Sequence, residues 1–471
     1  MKFNERFLED ILKSGWSRNY VSKEFNINRG LLHKYFNGTQ LIPQNTFNEI
    51  IEAMVIPYSE KTVLCDLYYA ELFGEDVLHR IKNLEHILLG IDKSCIPDKS
   101  FVHIQPTIDV AEFEQNGKFY LKTKTDILSA VGYLFRTADK GEIYTNYPYS
   151  CTDFDNTVFN CCLEYQDFKL FHLLVFNKIA DCFENVQNVF CSVRYLQYGI
   201  NPFCLYNYGG TNEMSPFPFF FAVGNYCLLF SSNCTQGFLY KDADMFSYIK
   251  NDFYSKTEES TELAVFPKDM FEVKNIVSCN IKSELEITLT SYPCLAPIAD
   301  ADFIYSILNQ DVPGIQQLAE LAVHHYANAF GEDTEKYIIH ESGMREFAKT
   351  GKVYEVPGIF VKPASQKERI RYFETMKKLN ENGRLKIINC CGFDMPSAVT
   401  ISLLDQWLNL YGHFENVPKE QRFSTNWIIS MNDKQIFEDI KLLCDYLLAT
   451  SNFYTQKGAD EFLNSMIISL E

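Results

Sequence analysis

Residues 17–43 read SRNYVSKEFNINRGLLHKYFNGTQLIP, and their spacing implies one specific packing unit. Ser17 is a good helix N-cap, and residues 18–25 form a two-turn helix that buries Val21 and Phe25 at i and i+4. Asn26-Ile27-Asn28 then gives a short turn. Asn26 tolerates the left-handed conformation, Ile27 plugs the core and Asn28 caps the next helix. Residues 29–37 make that second helix, with Leu32 and Tyr35 (or Phe36) inward and Gly38 as its stop. Two short helices joined in this way are a helix-turn-helix.

The residues left outside decide what such a unit does. Arg29, Gly30, His33 and Lys34 face away from the packed side, and the N-terminal part of the second helix is the part that meets base edges in the DNA major groove. Arg29 can reach guanine O6 and N7 in bidentate fashion, and Gly30 lets the backbone approach closely. Lys34 and Asn37 suit phosphate contacts, which set register without reading sequence. Arg18, Asn28, Arg29, Gly30, His33, Lys34 and Asn37 are therefore the candidate DNA-binding residues.

The run HKYFNGTQLIPQNTFNEIIEAM, residues 33–54, is similar to the recognition-helix end, Asn-Gly loop and fourth helix of the lambda-repressor-like (xenobiotic-response-element type) DNA-binding family. The resemblance covers about residues 4–73 and implies five short helices. It places Arg29, Gly30 and His33 on base-reading positions and Asn37 on a backbone-contacting one. Family members often carry Gln at the start of the second helix and again in the recognition helix, where this chain has Arg18 and Arg29. Their base preference does not transfer.

Composition limits the rest. At 471 residues the chain exceeds one ordinary core, and 46% apolar residues exclude a mainly disordered protein. The net charge of −18 looks wrong for a nucleic-acid binder until it is divided. Residues 1–58 carry seven Lys/Arg against six Asp/Glu, and the remainder carries 36 against 55, so the acidity belongs to the body. Fifteen cysteines without a C-x-x-C exclude zinc-ribbon and thioredoxin-like spacings. With no secretory signal, and with the most apolar run (residues 216–231) broken by Gly224-Asn225, the expectation is a cytoplasmic protein that does not enter a membrane.

Residues 59–73 and 75–89 read as two further helices. In the second, Val77, Ile81, Leu84 and Leu88 form a short seam, expected to pack on the chain's own body, with a dimer contact as the alternative. Residues 90–118 read as irregular, with a linker at their start and a turn at Asn116-Gly117, so that 74–118 is helix and linker. From about residue 119 helices alternate with short apolar strands: helix 125–138, strand 142–147, strand 170–176, helix 185–196, a hairpin of 217–223 with 226–231, and helix 242–255. Residues 256–300 read as a linker, succeeded by two helices in 304–330, an irregular or β stretch in 347–365, helix 366–380, strands 385–389, 398–403 and 424–430, and helices 434–449 and 457–470. The recurrence of helix, three strands, helix suggests two related lobes, about 119–260 and 261–471. The fold class is thus multidomain: an all-α helix-turn-helix domain (residues 1–73) and then an α/β body.

Residues 228–254, LLFSSNCTQGFLYKDADMFSYIKNDFY, resemble the end of one half of a phospholipase-D-like enzyme. That family's chemistry needs His-x-Lys, and no His-x-Lys occurs in this chain. The resemblance therefore implies a non-catalytic descendant. Phosphate-cradling and nucleophile-elbow signatures are also missing. His324-His325 point about 100° apart on a helix and cannot share a metal alone. His340-Glu341-Ser342 holds base, acid and hydroxyl side chains, although neighbours rarely form a triad. Asn207-Tyr208-Gly209-Gly210 reads as a loop, and the aromatics of 206–208 and 217–221 as core or the lining of a ligand pocket. Taken together, the sequence predicts a regulator without catalytic cofactor or metal. Its partners would be operator DNA, a second copy of itself and a small-molecule or peptide effector. The rival is an enzyme or defence effector whose helix-turn-helix only regulates its own synthesis.

Overall fold

Phe3, Phe7, Phe47 and Tyr68 meet in one aromatic core, with the Phe47 and Tyr68 rings stacked at 3.9 Å. They come from three of the six helices of an N-terminal helical region: α1 (Phe3–Lys13), α2 (Arg18–Glu24), α3 (Arg29–Phe36), α4 (Gln44–Ala53), α5 (Tyr58–Phe73) and α6 (Glu75–Gly90). Each fully buried Phe or Leu here contributes about 1.5–3 kcal/mol. A computed structural model describes the chain apart from residues 1, 91–106, 108, 139–140, 166–167, 178–182, 197–199, 208–214, 267–284, 295, 330–335, 357, 359, 390–398, 405–406, 414–425 and 451–452. The chain divides into two compact units, one of Met1–Leu89, Pro267–His413 and Met431–Glu471, the other of Gly90–Phe266 and Phe414–Ser430.

The second unit holds an eight-stranded mixed sheet in the order β1-β7-β6-β5-β2-β3-β4-β8. Its strands are β1 (Lys118–Leu121), β2 (Glu142–Thr145), β3 (Lys169–Asn177), β4 (Phe203–Asn207), β5 (Phe219–Val223), β6 (Tyr226–Phe230), β7 (Gly237–Lys241) and β8 (Thr261–Glu262). β2, β3 and β4 run parallel, joined by α9 (Thr152–Glu164) and α10 (Phe183–Leu196). β5, β6 and β7 form an antiparallel meander, and β5 lies antiparallel to β2. Helices α7 (Val110–Asn116), α8 (Lys124–Thr137) and α11 (Ala243–Thr257) complete the unit.

In the first unit β9 (Leu285–Thr290), β10 (Lys336–His340) and β11 (Leu385–Ile388) are the parallel strands. Between them run α12 (Ala301–Ile307) and α13 (Ile315–Ala329), then α14 (Glu341–Thr350) and α15 (Gln366–Glu381). β12 (Val399–Leu404) returns antiparallel to β9 and β13 (Trp407–His413) antiparallel to β12. Two helices end the chain, α16 (Lys434–Thr450) and α17 (Gln456–Leu470). Tyr337, Ile339, Leu385 and Ile387 line one sheet face against Met344, Phe347, Phe373 and Met376 and against Phe462 and Leu463 of α17.

The two sheets share one plan. In each, the first strand of the set (β2 or β9) is central. Two parallel strands come next on one side, reached through helices; on the other side a fourth strand lies antiparallel to the first and a fifth antiparallel to the fourth. The orders β6-β5-β2-β3-β4 and β13-β12-β9-β10-β11 are therefore equivalent. The multidomain layout, helices first and an α/β body with two sheets after, is as the sequence implies.

Several boundaries differ. The stretch read as a linker over 256–300 contains β9, the central strand of its sheet. Its Leu285–Thr290 run, LEITLT, alternates with threonines, which reads as a surface pattern although Thr288 and Thr290 are buried. Residues 347–350 are the end of α14, not irregular or β, and α7 occupies part of the 90–118 stretch. β10, β13 and α9 went unread. Ile81, Leu84 and Leu88 of the seam are buried within the chain, and Val77 is half-buried.

Candidate nucleic-acid interface

α2 begins where Ser17 leaves helical geometry, its side chain accepting from the Tyr20 N–H at 3.1 Å. α2 ends at a tight turn. Asn26 sits at φ 49°, and the Ile27 N–H donates to the Ser22 carbonyl at 2.9 Å while the Ser22 hydroxyl donates to the Ile27 carbonyl at 2.7 Å. Asn28 Oδ1 then caps α3 by accepting from the Gly30 N–H at 2.8 Å. α3 stops at Gly38 (φ 70°), with the Thr39 N–H returning to the Lys34 carbonyl.

Val21, Ile27, Leu32, Tyr35 and Phe36 are buried, both alternatives for the inward aromatic being used; Phe25 is only half-buried. The opposite side is open. Arg18, Asn28, Arg29, Gly30, His33, Lys34 and Asn37 are all exposed. Arg29, Gly30, His33, Lys34 and Asn37 therefore share one helix and its end. Arg18 lies beside them on α2, its guanidinium 5.4 Å from the centre of the Phe36 ring. Asn28 differs, because its carbonyl oxygen is already used as a cap. The Asn37 amide nitrogen lies 3.0 Å from His33 Nδ1 and 3.4 Å from Nε2.

Two further exposed residues, Tyr20 (42%) and Leu31 (37%), escaped the sequence reading. Leu31 is one position, about 100°, off buried Leu32, and that phase was the available signal.

The charges of the helical region are sorted by face. On α1 the cations are paired: Arg6 Nε lies 2.6 Å from Asp10 and Arg6 Nη2 2.8 Å from Glu60, while Lys13 lies 3.0 Å from Glu9 and 3.3 Å from Glu60. The hydrogen bond from Lys13 holds the Glu9 carboxyl below its usual range. On α2 and α3, Arg18, Lys23, Arg29 and Lys34 have no carboxylate partner among the described residues, and Glu24 is the only acid on those two helices.

The other candidates resolve less well. His340 caps α14, its Nδ1 2.7 Å from Ser342 Oγ, and Glu341 is engaged by Arg345 at 2.6 Å and by the Tyr454 hydroxyl at 2.8 Å. Phe220 and Phe221 are core. The side chains of His324 and His325 lie outside the described residues, as do residues 208–210. No cluster of three His, Cys, Asp or Glu suited to a metal occurs among the described residues, and none of the described helices is long and apolar enough to cross a membrane. The second unit holds a buried polar knot that the sequence did not announce. Asp155 accepts from the Tyr195 hydroxyl at 2.5 Å and the Tyr147 hydroxyl at 3.1 Å and pairs with Arg194, and His172 Nε2 meets the Tyr147 carbonyl at 2.7 Å.

No family model matches this chain, and no curated protein does. Among solved structures, a phosphatidylserine synthase of Haemophilus influenzae Rd KW20 is 10% identical with a TM-score of 0.26, covering 82% of this chain and 97% of that one. TrmBL2, an archaeal chromatin protein whose structure shows a mode of DNA binding, is 11% identical with a TM-score of 0.24 over 41% of this chain and 66% of its own. Likenesses this weak carry no argument about either sheet or the helices.

Proposed function

We propose that the chain is a sequence-specific DNA-binding transcriptional regulator that reads its operator through a lambda-repressor-like helix-turn-helix formed by α2 and α3. The observation that supports this reading is the sorting of charge. Cations on α1 are spent on neighbouring carboxylates, whereas those around Arg29 stay exposed and without an acidic partner among the described residues, as phosphate and base contacts require. The α/β body acts as a sensory and dimerisation part and is not an enzyme, in keeping with a phospholipase-D-like ancestry that has lost His-x-Lys. A homodimer is proposed because one such module gives too few base contacts for useful specificity, and paired half-sites are the common solution. A small-molecule or peptide effector would act by changing the spacing of the two recognition helices.

The test is fluorescence anisotropy of the full-length protein on fragments of its own upstream DNA, with salt varied. Tight, saturable binding to one fragment with a two-fold footprint supports the reading. Weak, uniform binding that vanishes with modest salt overturns it, and hydrolysis of nucleic acid or phosphodiesters, lost on changing a body residue, would move the enzyme reading ahead.

A further inference from the structure

Three elements of the second unit converge on two thiols. Cys151 is the N-cap residue of α9, where the helix's unsatisfied N–H groups favour negative charge, and it is half-buried. Its Sγ lies 3.8 Å from the carbonyl oxygen of Ser232. Ser232 belongs to the turn between β6 and β7, which also carries Cys234. That turn is held tightly: the Ser231 N–H donates to the Gln236 carbonyl at 2.9 Å, and Ser231 Oγ accepts from the Thr235 and Gln236 N–H groups.

Within the turn, residues 232, 233, 235 and 236 are exposed and Cys234 alone is turned inward, 3% exposed. Reaching that position takes a left-handed backbone, φ 56°, which among the described non-glycine residues only Asn26 shares. Asn26 belongs to a residue type suited to that region and Cys does not, so the inward thiol costs backbone energy.

The third element is the start of α8. Lys124, which pairs with Asp153 of α9, is close enough to both sulfurs to interact with each electrostatically. A hydrogen bond between the two thiols, the first cause in each case, pushes Cys151 up and brings Cys234 down, and the Lys124 charge lowers Cys234 further. Cys161, Cys162, Cys191 and Cys227 of the same unit are instead pushed up by burial, as inert core thiols are.

We propose that Cys151 and Cys234 are a redox-active pair that closes to a disulfide, tying the N-terminus of α9 to the β6–β7 turn. With hydrogen peroxide as oxidant, the Cys234 thiolate attacks one peroxide oxygen and the O–O bond breaks. The departing hydroxide takes a proton to become water, and Cys234 is left as a sulfenic acid. The Cys151 thiolate, its proton lost to solvent, then attacks the Cys234 sulfur. The S–S bond forms, and the sulfenic hydroxyl leaves as hydroxide and is protonated to a second water. Two thiols are oxidised and one peroxide is reduced.

The experiment treats the reduced full-length protein with equimolar peroxide, alkylates remaining thiols and maps the peptides without reduction. The expected result is the loss of two of the fifteen thiols, a linked pair of peptides carrying Cys151 and Cys234, and full recovery with dithiothreitol. Cys151→Ser should abolish the link and leave Cys234 as a sulfenic acid trapped by dimedone. The proposal falls if both thiols of the wild-type protein still alkylate fully after peroxide, or if the link joins other cysteines. The wild-type map decides this without any variant having to fold.

Discussion

Arg29 stands at the exposed start of α3 with no carboxylate partner among the described residues, so its removal takes away little folding energy and, on the proposed function, a base contact. Arg29→Ala should weaken specific DNA binding by roughly 1–3 kcal/mol and relax base discrimination, with an unchanged melting temperature. Anisotropy on matched and single-mismatch operators would measure both. His172 makes a different kind of prediction. Its Nε2 faces the Tyr147 carbonyl, which can only accept, so Nε2 carries a proton. Burial lowers its pKa from 6.5 to about 4. A depressed value means that the unfolded chain binds the extra proton first as pH falls. The stabilisation is complete above pH 6.5 and drains away toward pH 4, costing about 2 kcal/mol between pH 7 and 5. His172→Gln keeps the N–H donor and should remove that part of the slope. Urea midpoints at the two pH values report it.

Among the elements, α14 approaches the end of β9 more closely than any side chain would allow. A Cβ on Gly343 would lie 1.6 Å from the Ser291 carbonyl oxygen. On an exposed helix Gly→Ala gains roughly 0.5–1 kcal/mol. Here overpacking, at least roughly 1–3 kcal/mol, outweighs that gain, so Gly343→Ala should lower the melting temperature or leave no soluble protein. This contact also marks what the sequence concealed. The α2–turn–α3 unit was legible down to Asn26 in the left-handed region and the Asn28 cap, because every part of it is local. The hairpin of β5 and β6 was legible for the same reason, from Gly224-Asn225 between two apolar runs. β9 was not. Its identity as a central strand depends on β10 and β12, about 46 and 109 residues downstream, and its threonines look solvated until those partners cover them. The charge sorting on α1 was equally unreadable, since Glu60, which completes it, arrives from α5.

Across the whole molecule, the helical region is not a bead on a string. In its unit α5 packs on α16: the Tyr69 and Tyr446 rings meet edge to face at 5.2 Å, the Tyr446 hydroxyl donates to Asp66 at 2.6 Å, and Cys65 Sγ lies 3.4 Å from the Ala449 carbonyl. Lys386, at the strand β11, pairs with Glu52 of α4. A fragment of residues 1–90 loses all of these and uncovers Cys65 and Tyr69, which are fully buried in the intact chain. It should melt at least about 8 °C below the full-length protein, as followed by circular dichroism. The same junction sets an order of events during synthesis. α5 leaves the ribosome roughly 360 residues before α16 begins. At about 5–20 residues per second, that is on the order of 20–70 s in which the apolar side of α5 has no partner. A nascent chain can therefore expose the α2–α3 helix pair before its own support exists, and premature termination anywhere in the body would release that pair on an incomplete scaffold.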